Sequence, residues 1–315
     1  FILEVKRLFK NYEFNYFKYV YKSWFFIFLI LTIDIIFEII FGYNLIGNKS
    51  YMPGRIASFF GDELVVGAFY HGFILFFLSY LVFNKSKTYI LIVTIIIISL
   101  VSLLIGERSN FINILISIIL FLSLALNINY KIKLVAFISI ISVLTVAFIN
   151  LNESYKVRYF DQIKLLFSKD GYTNYIKNSQ YGAHRNAAIK IFQDNVLFGV
   201  GIKNFRYESS KKKYENKAYL KTKIRQATHP HQVHYEFLSE TGIFGYMSFL
   251  MFIITSIYLG IRSYLKSKNL YLLSAIIFII SSLLPILPSG SFLSTFSSGI
   301  FWLNYAIMSS YIKNQ

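Results

Sequence analysis

The chain has 315 residues, of which 56% are apolar and 15% charged, with a net charge of +17 and no cysteine. Its apolar residues gather in long blocks that must face lipid or one another, which excludes an ordinary soluble domain, and the missing cysteines exclude disulfides and thiolate metal sites. The basic excess would suggest nucleic acid in a soluble protein, but here it divides between the two sides of a membrane, and no nucleic-acid partner is expected.

The sequence opens at Phe1 without a Met or a recognisable signal peptide, so a fragment with spans missing upstream is expected. Eight stretches are long and apolar enough to cross a bilayer: 23–43, 63–83, 89–105, 109–127, 133–150, 243–261, 270–287 and 292–311. They lack the alternation of barrel strands, so the expected fold is all-α, a polytopic transmembrane helix bundle of these eight spans with one large, partly helical loop. The domain organisation follows as an N-terminal transmembrane bundle of five spans (1–150), an outer loop carrying the functional site (151–241) and a C-terminal bundle of three spans (242–315).

The short connections sort by charge. Lys6, Arg7, Lys10, Lys18 and Lys22 precede the first span, Lys85 and Lys87 follow the second, and Lys131 and Lys133 follow the fourth. Arg262, Lys266 and Lys268 follow the sixth and Lys313 the last, so simple alternation puts all of them on one side, the cytoplasm. The other face receives the Arg55 segment, the Gly106–Ser109 turn, the 151–241 loop and the Pro285–Gly290 turn. The loop holds 16 Lys and Arg against 8 Asp and Glu. Such a surface suits a lipid headgroup or a lipid-linked phosphate, or it simply rests on membrane lipids.

In the first span Asp34 and Glu38 are four apart on one helical face. Intramembrane acids are costly, so they are functional or paired with a cation; pairing is the preferred reading, and Arg55 or Arg108 on the outer side is a candidate partner. Arg108 sits at the outer edge with no long loop to solvate it. It either lines a pocket, pairs with Glu107 or snorkels to the interface.

Within the loop, Tyr181–Asn195 reads as an amphipathic helix with Ala187, Ala188, Ile191 and Phe192 on one face. His184 and Arg185 stand at its start, where free N–H groups favour an anion; Arg185 grips a phosphate, pairs with an acid such as Asp161 or caps a neighbouring loop. After the Gly199-Val200-Gly201 turn, Lys211, Lys212 and Lys213 read as a solvated or headgroup-facing run. In Thr228-His229-Pro230-His231-Gln232-Val233-His234, Pro230 fits the first turn of a helix capped by Thr228 or His229 and running to Thr241-Gly242. His231 would then lie in that first turn, where the dipole keeps the ring neutral. The three histidines read as a structural cluster, a catalytic base or a metal site, although their spacing does not line one helix face.

These residues carry a resemblance. Arg185 ahead of an amphipathic helix, then Phe198-Gly199-Val200-Gly201-Ile202-Lys203-Asn204-Phe205, then His229-Pro230-His231-Gln232 leading to Leu238-Ser239-Glu240-Thr241-Gly242-Ile243-Phe244-Gly245, resemble the long periplasmic loop of the O-antigen ligase and O-antigen polymerase family. Upstream, Arg55-Ile56-Ala57-Ser58-Phe59-Phe60-Gly61-Asp62-Glu63-Leu64 and Gly106-Glu107-Arg108-Ser109 resemble its other outer-face motifs. Gln232 stands where the family usually has Asn, and Glu107 where a small residue is more common. The resemblance implies a GT-C-type glycosyltransferase of the bacterial inner membrane. Its donor would be a polyprenyl-diphosphate-linked glycan, its acceptor lipid A-core or another lipid-linked glycan, and it would use no metal, nucleotide or other cofactor. His231 and Arg185 would then be catalytic, with Arg55, Arg108 and His229 binding substrate. All four of Arg55, Arg108, Arg185 and His231 would line one outer cavity. A transporter or flippase of lipid-linked oligosaccharide is the alternative, but no repeat of the spans is visible.

Overall fold

The computed structural model describes residues 15–161, 164 and 170–312. Lys6, Arg7, Lys10, Lys313 and the Asp161 side chain lie outside the described residues. All regular structure among the described residues is helical, and apart from short single turns it consists of α1 (Asn15–Phe41), α2 (Val66–Phe83), α3 (Thr88–Leu104), α4 (Arg108–Leu124), α5 (Tyr130–Ile149), α6 (Gly171–Asn178), α7 (Gln180–Asp194), α8 (Val233–Ser267), α9 (Leu270–Ser282) and α10 (Thr295–Tyr311). Each of the eight apolar stretches holds one helix. α1, α2, α5 and α8 are long and apolar enough to cross a membrane, and α3, α4 and α9 are shorter apolar helices.

Burial is inverted in the manner of a membrane protein. On α1, Ile27, Ile30, Ile33 and Ile40 are exposed while Phe28, Leu31, Ile35 and the two acids Asp34 and Glu38 are buried. Exposed isoleucines one helical turn apart would be unfavourable in water and suit lipid. The molecule is a polytopic helical membrane protein.

The chain divides into two compact units. Unit 1 gathers the described residues up to Arg158, Leu259–Ser281 and those from Ile300 onward; unit 2 is Tyr159–Tyr258 with Ser282–Gly299.

In unit 1, α1 packs on α2, α2 on α4 and α3 on α5. With little hydrophobic drive between helices in lipid, small polar residues supply the adhesion. Ser79 and Ser274 bond at 2.8 Å between α2 and α9, and His71 Nε2 meets both Ser117 and Ser281.

In unit 2, α7 starts at its Ser179 cap, whose hydroxyl accepts from Gly182 N–H at 3.0 Å. Its apolar face, Ala187, Ala188 and Ile191, forms a core with Phe205 and Tyr214, against which Val200, Ala227 and Tyr235 pack. Arg225 is buried and donates to the carbonyls of Thr222, Ser210 and Lys211, tying down the lysine-rich stretch. α8 is broken at Gly242, where φ is 66° and ψ −168°. The loop helix thus stops at the expected residue and the span begins beyond it.

Candidate functional site

The Arg55 segment is built from beneath by the acids of α1. Glu38 accepts from the N–H of Ala57 (3.1 Å) and Ser58 (2.6 Å), and Asp34 from the N–H of Leu45 (2.8 Å) and the Ser58 hydroxyl (2.5 Å). The expected pairing of these acids with Arg55 or Arg108 is therefore corrected: they hold backbone donors that would otherwise go unmet. Arg55 instead pairs with Glu107, at 3.2 Å, and donates to Leu64 O at 2.6 Å. Glu107 further accepts from Gly67 N–H and from Asn110. Burial pushes its carboxyl above the usual range, against the opposite pull of Arg55. The sequence alternative of an Arg108–Glu107 pair is likewise replaced, since Arg108 donates to Arg158 O at 2.9 Å. Gly106, between these residues, passes so close to the Gly54 carbonyl that no side chain fits.

In unit 2 three histidines meet. The His184 ring stacks on His231 (centroids 5.0 Å apart, 25° between planes), His229 lies 4.1 Å from it, and Tyr181 meets it edge-on at 5.7 Å. His231 is not in the first helical turn, as the sequence suggested. It has φ 55°, and α8 starts two residues later at Val233. The cap is Gln232, whose Oε1 accepts from the N–H groups of His234 (2.8 Å) and Tyr235 (3.1 Å). A long amide side chain can reach both free donors, which gives a physical reason for Gln at this place. The backbone of His231 is held as well, its carbonyl accepting from Ser289 N–H at 2.9 Å.

Five histidines occur in the chain, and four spend a ring nitrogen on the protein. His71 bonds two serines, His184 the Ile224 carbonyl, His229 the Thr228 hydroxyl, and His234 both Leu283 O and Tyr246 OH. Among the described residues no group bonds the ring nitrogens of His231. Burial, then its histidine neighbours, lowers its pKa to about 3; burial, then His184, lowers His229 to about 4; burial also lowers His184. All three rings are therefore neutral at ordinary pH. No group of three or more His, Cys, Asp or Glu among the described residues has the arrangement to hold a metal ion.

Arg185 lies one turn into α7, beyond the free N–H groups at the helix start, so the expected help from those donors does not apply. Its Nε donates to Tyr235 OH at 2.6 Å, Nη1 to Tyr172 OH at 3.4 Å, and the guanidinium lies 5.4 Å from the Tyr235 ring centre. No carboxylate pairs with it among the described residues. Arg55 and Arg108 thus belong to unit 1, and Arg185, His229 and His231 to unit 2.

Residues 93–250, half of the chain, match the O-antigen ligase family (Wzy_C). The chain belongs to the O-antigen ligase family. Membership brings a glycosyltransferase-like activity of the ligase and polymerase kind, with a lipid-linked glycan and an acceptor as substrates. The match takes in Arg108, Arg185, His229 and His231 and leaves Arg55 upstream. No curated protein matches the chain.

Three residues around these side chains leave no mark of their partners in the sequence. Tyr235 holds Arg185. Arg206 lies close enough to His229 to depress its ionisation, with a buried Nε that has no partner among the described residues. Glu240 accepts from the N–H of Lys203 (2.6 Å) and Phe205 (3.1 Å) and so anchors the Gly199–Phe205 turn. Glu236 and Glu240, four apart at the head of a span, carry the same signal that singled out Asp34 and Glu38.

Proposed function

We propose that this ligase-family protein transfers or polymerises a polyprenyl-diphosphate-linked glycan on the outer face of the inner membrane, with segment 151–241 in the periplasm as the catalytic and donor-binding loop. The acceptor is a glycan or lipid A-core. Its hydroxyl attacks the anomeric carbon, the carbon–oxygen bond to the diphosphate breaks, and the electron pair leaves on the diphosphate. His231 takes the hydroxyl proton, Arg185 steadies the leaving charge, and Arg55, Arg108 and His229 bind the donor. No cofactor is needed.

The observation that carries this reading is the state of His231, neutral and held by its backbone bond to Ser289 and by ring stacking, with ring nitrogens that no group among the described residues occupies. A pKa of about 3 makes a weak base in the free protein. An anionic diphosphate nearby favours the imidazolium and raises that value, so the base strengthens when the donor is bound.

The test is transfer from purified polyprenyl-diphosphate glycan in liposomes, with and without a chelator. His231→Ala is expected to lower turnover by roughly 10²–10⁴-fold while donor binding persists. Full activity of that variant removes His231 from the chemistry, and strong inhibition by the chelator points to a metal. Movement of the intact lipid-linked sugar across the bilayer, its linkage unchanged, would replace transfer by transport.

A further inference from the structure

The break in α8 leaves backbone groups that a continuous helix would have satisfied. The carbonyls of Ser239 and Glu240 lose their helical donors on one side of Gly242, and the N–H groups of Ile243 and Phe244 lose their helical acceptors on the other. One short segment supplies all four. Val200 and Gly201 donate to the carbonyls of Ser239 (3.0 Å) and Glu240 (2.9 Å), while Val196 and Leu197 accept from the N–H groups of Ile243 (2.8 Å) and Phe244 (3.4 Å). The crossing is backbone on backbone: a side chain at Gly199 would collide with Glu240, and one at Gly242 with Leu197. Residues 196–202 are thus a strap that repairs the helix break, and both glycines are required by contact and by positive φ.

The outer side of this strap is apolar and bare. Val196, Leu197, Phe198 and Ile202 are exposed by 44%, 54%, 74% and 62%, and Phe198 rests against Phe244, itself 57% exposed. Polar residues bound the strap at each end, Asp194 and Asn195 before it and Lys203 and Asn204 after it. From Phe244 the bare surface continues along α8 through Met247, Met251, Ile254 and Tyr258, alternately three and four residues apart and so on one helix face.

We propose that the strap is immersed in the bilayer, with Phe198, Leu197 and Ile202 among the lipid acyl chains at the head of the α8 stripe. Three observations select lipid over a water-facing loop or a protein partner. The strap supplies partners for four backbone groups freed at the break, as a site without water demands. Its apolar face is continuous with that of a membrane-crossing helix. It carries no charge between Asp194 and Lys203, and the change to polar residues at both ends matches an element lying a few ångströms below the headgroups. Through Val200, packed on the core of α7, and through Glu240, the immersed strap fixes unit 2 to the bilayer. This inference rests on the membrane span and not on the transfer chemistry, so either can fail alone.

Because the chain has no cysteine, a single introduced one takes a nitroxide label without background. Phe198→Cys, Ile202→Cys and Met247→Cys would be labelled separately in liposomes, with Lys212→Cys as the water-exposed control. Collisions with oxygen, which partitions into lipid, and with a water-soluble nickel chelate would then be compared. All three strap and stripe positions are expected to favour oxygen several-fold more than position 212. If 198 and 202 meet the nickel chelate as freely as 212, the strap lies in water and the proposal falls. If both are shielded from oxygen and nickel alike while 247 favours oxygen, protein covers the strap and the lipid assignment is wrong.

Discussion

Arg55 and Arg185 are both arginines of a ligase-family protein, and the two are held in opposite ways. Arg55 faces a buried carboxylate, Glu107, which also braces Gly67 and Asn110, so its charge is largely answered within the fold. Arg185 leans on two tyrosine hydroxyls and an aromatic ring, which orient a guanidinium without neutralising it. The first arrangement suits a structural brace and the second a cation kept available for an incoming anion. The difference separates two of the proposed site arginines, one whose loss damages the fold as well as donor binding and one whose loss damages the chemistry.

The largest expected effect tests the brace. Arg55→Ala leaves Glu107 buried without its partner, and a broken buried pair costs about 3–5 kcal/mol. The protein should lose thermal stability and membrane yield, and the double variant Arg55→Ala/Glu107→Ala should recover part of both. A stable Arg55→Ala protein that only binds donor poorly would show that Arg55 acts as a donor ligand without bracing the fold, and would erase the contrast.

Arg185 should give the complementary result. Arg185→Ala is expected to lower turnover by about 10²–10³-fold, the usual effect of removing one group that stabilises developing charge, with little change in melting. Arg185→Lys keeps the charge but loses the planar fork held by Tyr235, so it should fall between wild type and Ala. Equal losses of stability in Arg185→Ala and Arg55→Ala would mean that both are braces.

How far these roles were legible in advance depended on what leaves a mark in sequence. The helices of the eight apolar stretches and α7 announce themselves through apolar blocks and helical spacing, and Gly242 marks the break in α8. Partners through space leave no such mark. Arg108 is next to Glu107 in sequence, yet Arg55 takes the carboxylate, because neighbouring side chains at a helix start point in different directions. Asp34 and Glu38 satisfy backbone N–H groups, which every residue but proline carries and no motif reveals. Pro230 has the look of a helix start, but Gln232 can reach the free donors of His234 and Tyr235 and sets the start at Val233. For the same reason the strained backbone of His231 was not foreseen.

The histidine cluster gives a smaller, pH-dependent effect. An ordinary imidazole with a pKa near 6.5 would be about tenfold depleted in its basic form one unit lower. His231 in the free protein, lowered to about 3, should remain basic there. The kcat/KM profile is therefore expected to show no His231 limb between pH 7 and 5.5, whereas the acid limb of kcat, set by the donor complex, should lie higher. For stability the sign is fixed by folded values below the unfolded one. The unfolded chain binds protons first, so stability is full above about pH 6.5 and declines as pH falls toward the folded values of about 4 for His229 and about 3 for His231. A kcat/KM limb near 6.5 that disappears in His231→Gln would show that the ring is not buried as described.

The smallest effect should come from the next histidine after the proposed base. His234 spends both ring nitrogens, on Leu283 O at 2.8 Å and Tyr246 OH at 3.0 Å, joining the start of α8 to the segment after α9 and to the first turns of the span. It has no lone pair left for an acceptor hydroxyl. His234→Gln can keep one of these bonds, and a net hydrogen bond contributes about 1 kcal/mol, so a drop in melting temperature of a few degrees is the expected cost. Turnover should change by less than tenfold, and the kcat pH profile should keep its shape, because the proton stays with His231. His234→Ala removes both bonds and should roughly double the stability loss without adding a change in the profile. If either variant instead abolishes transfer at full stability, or moves the acid limb of kcat, the proton passes through His234 and the assignment of the base to His231 is wrong.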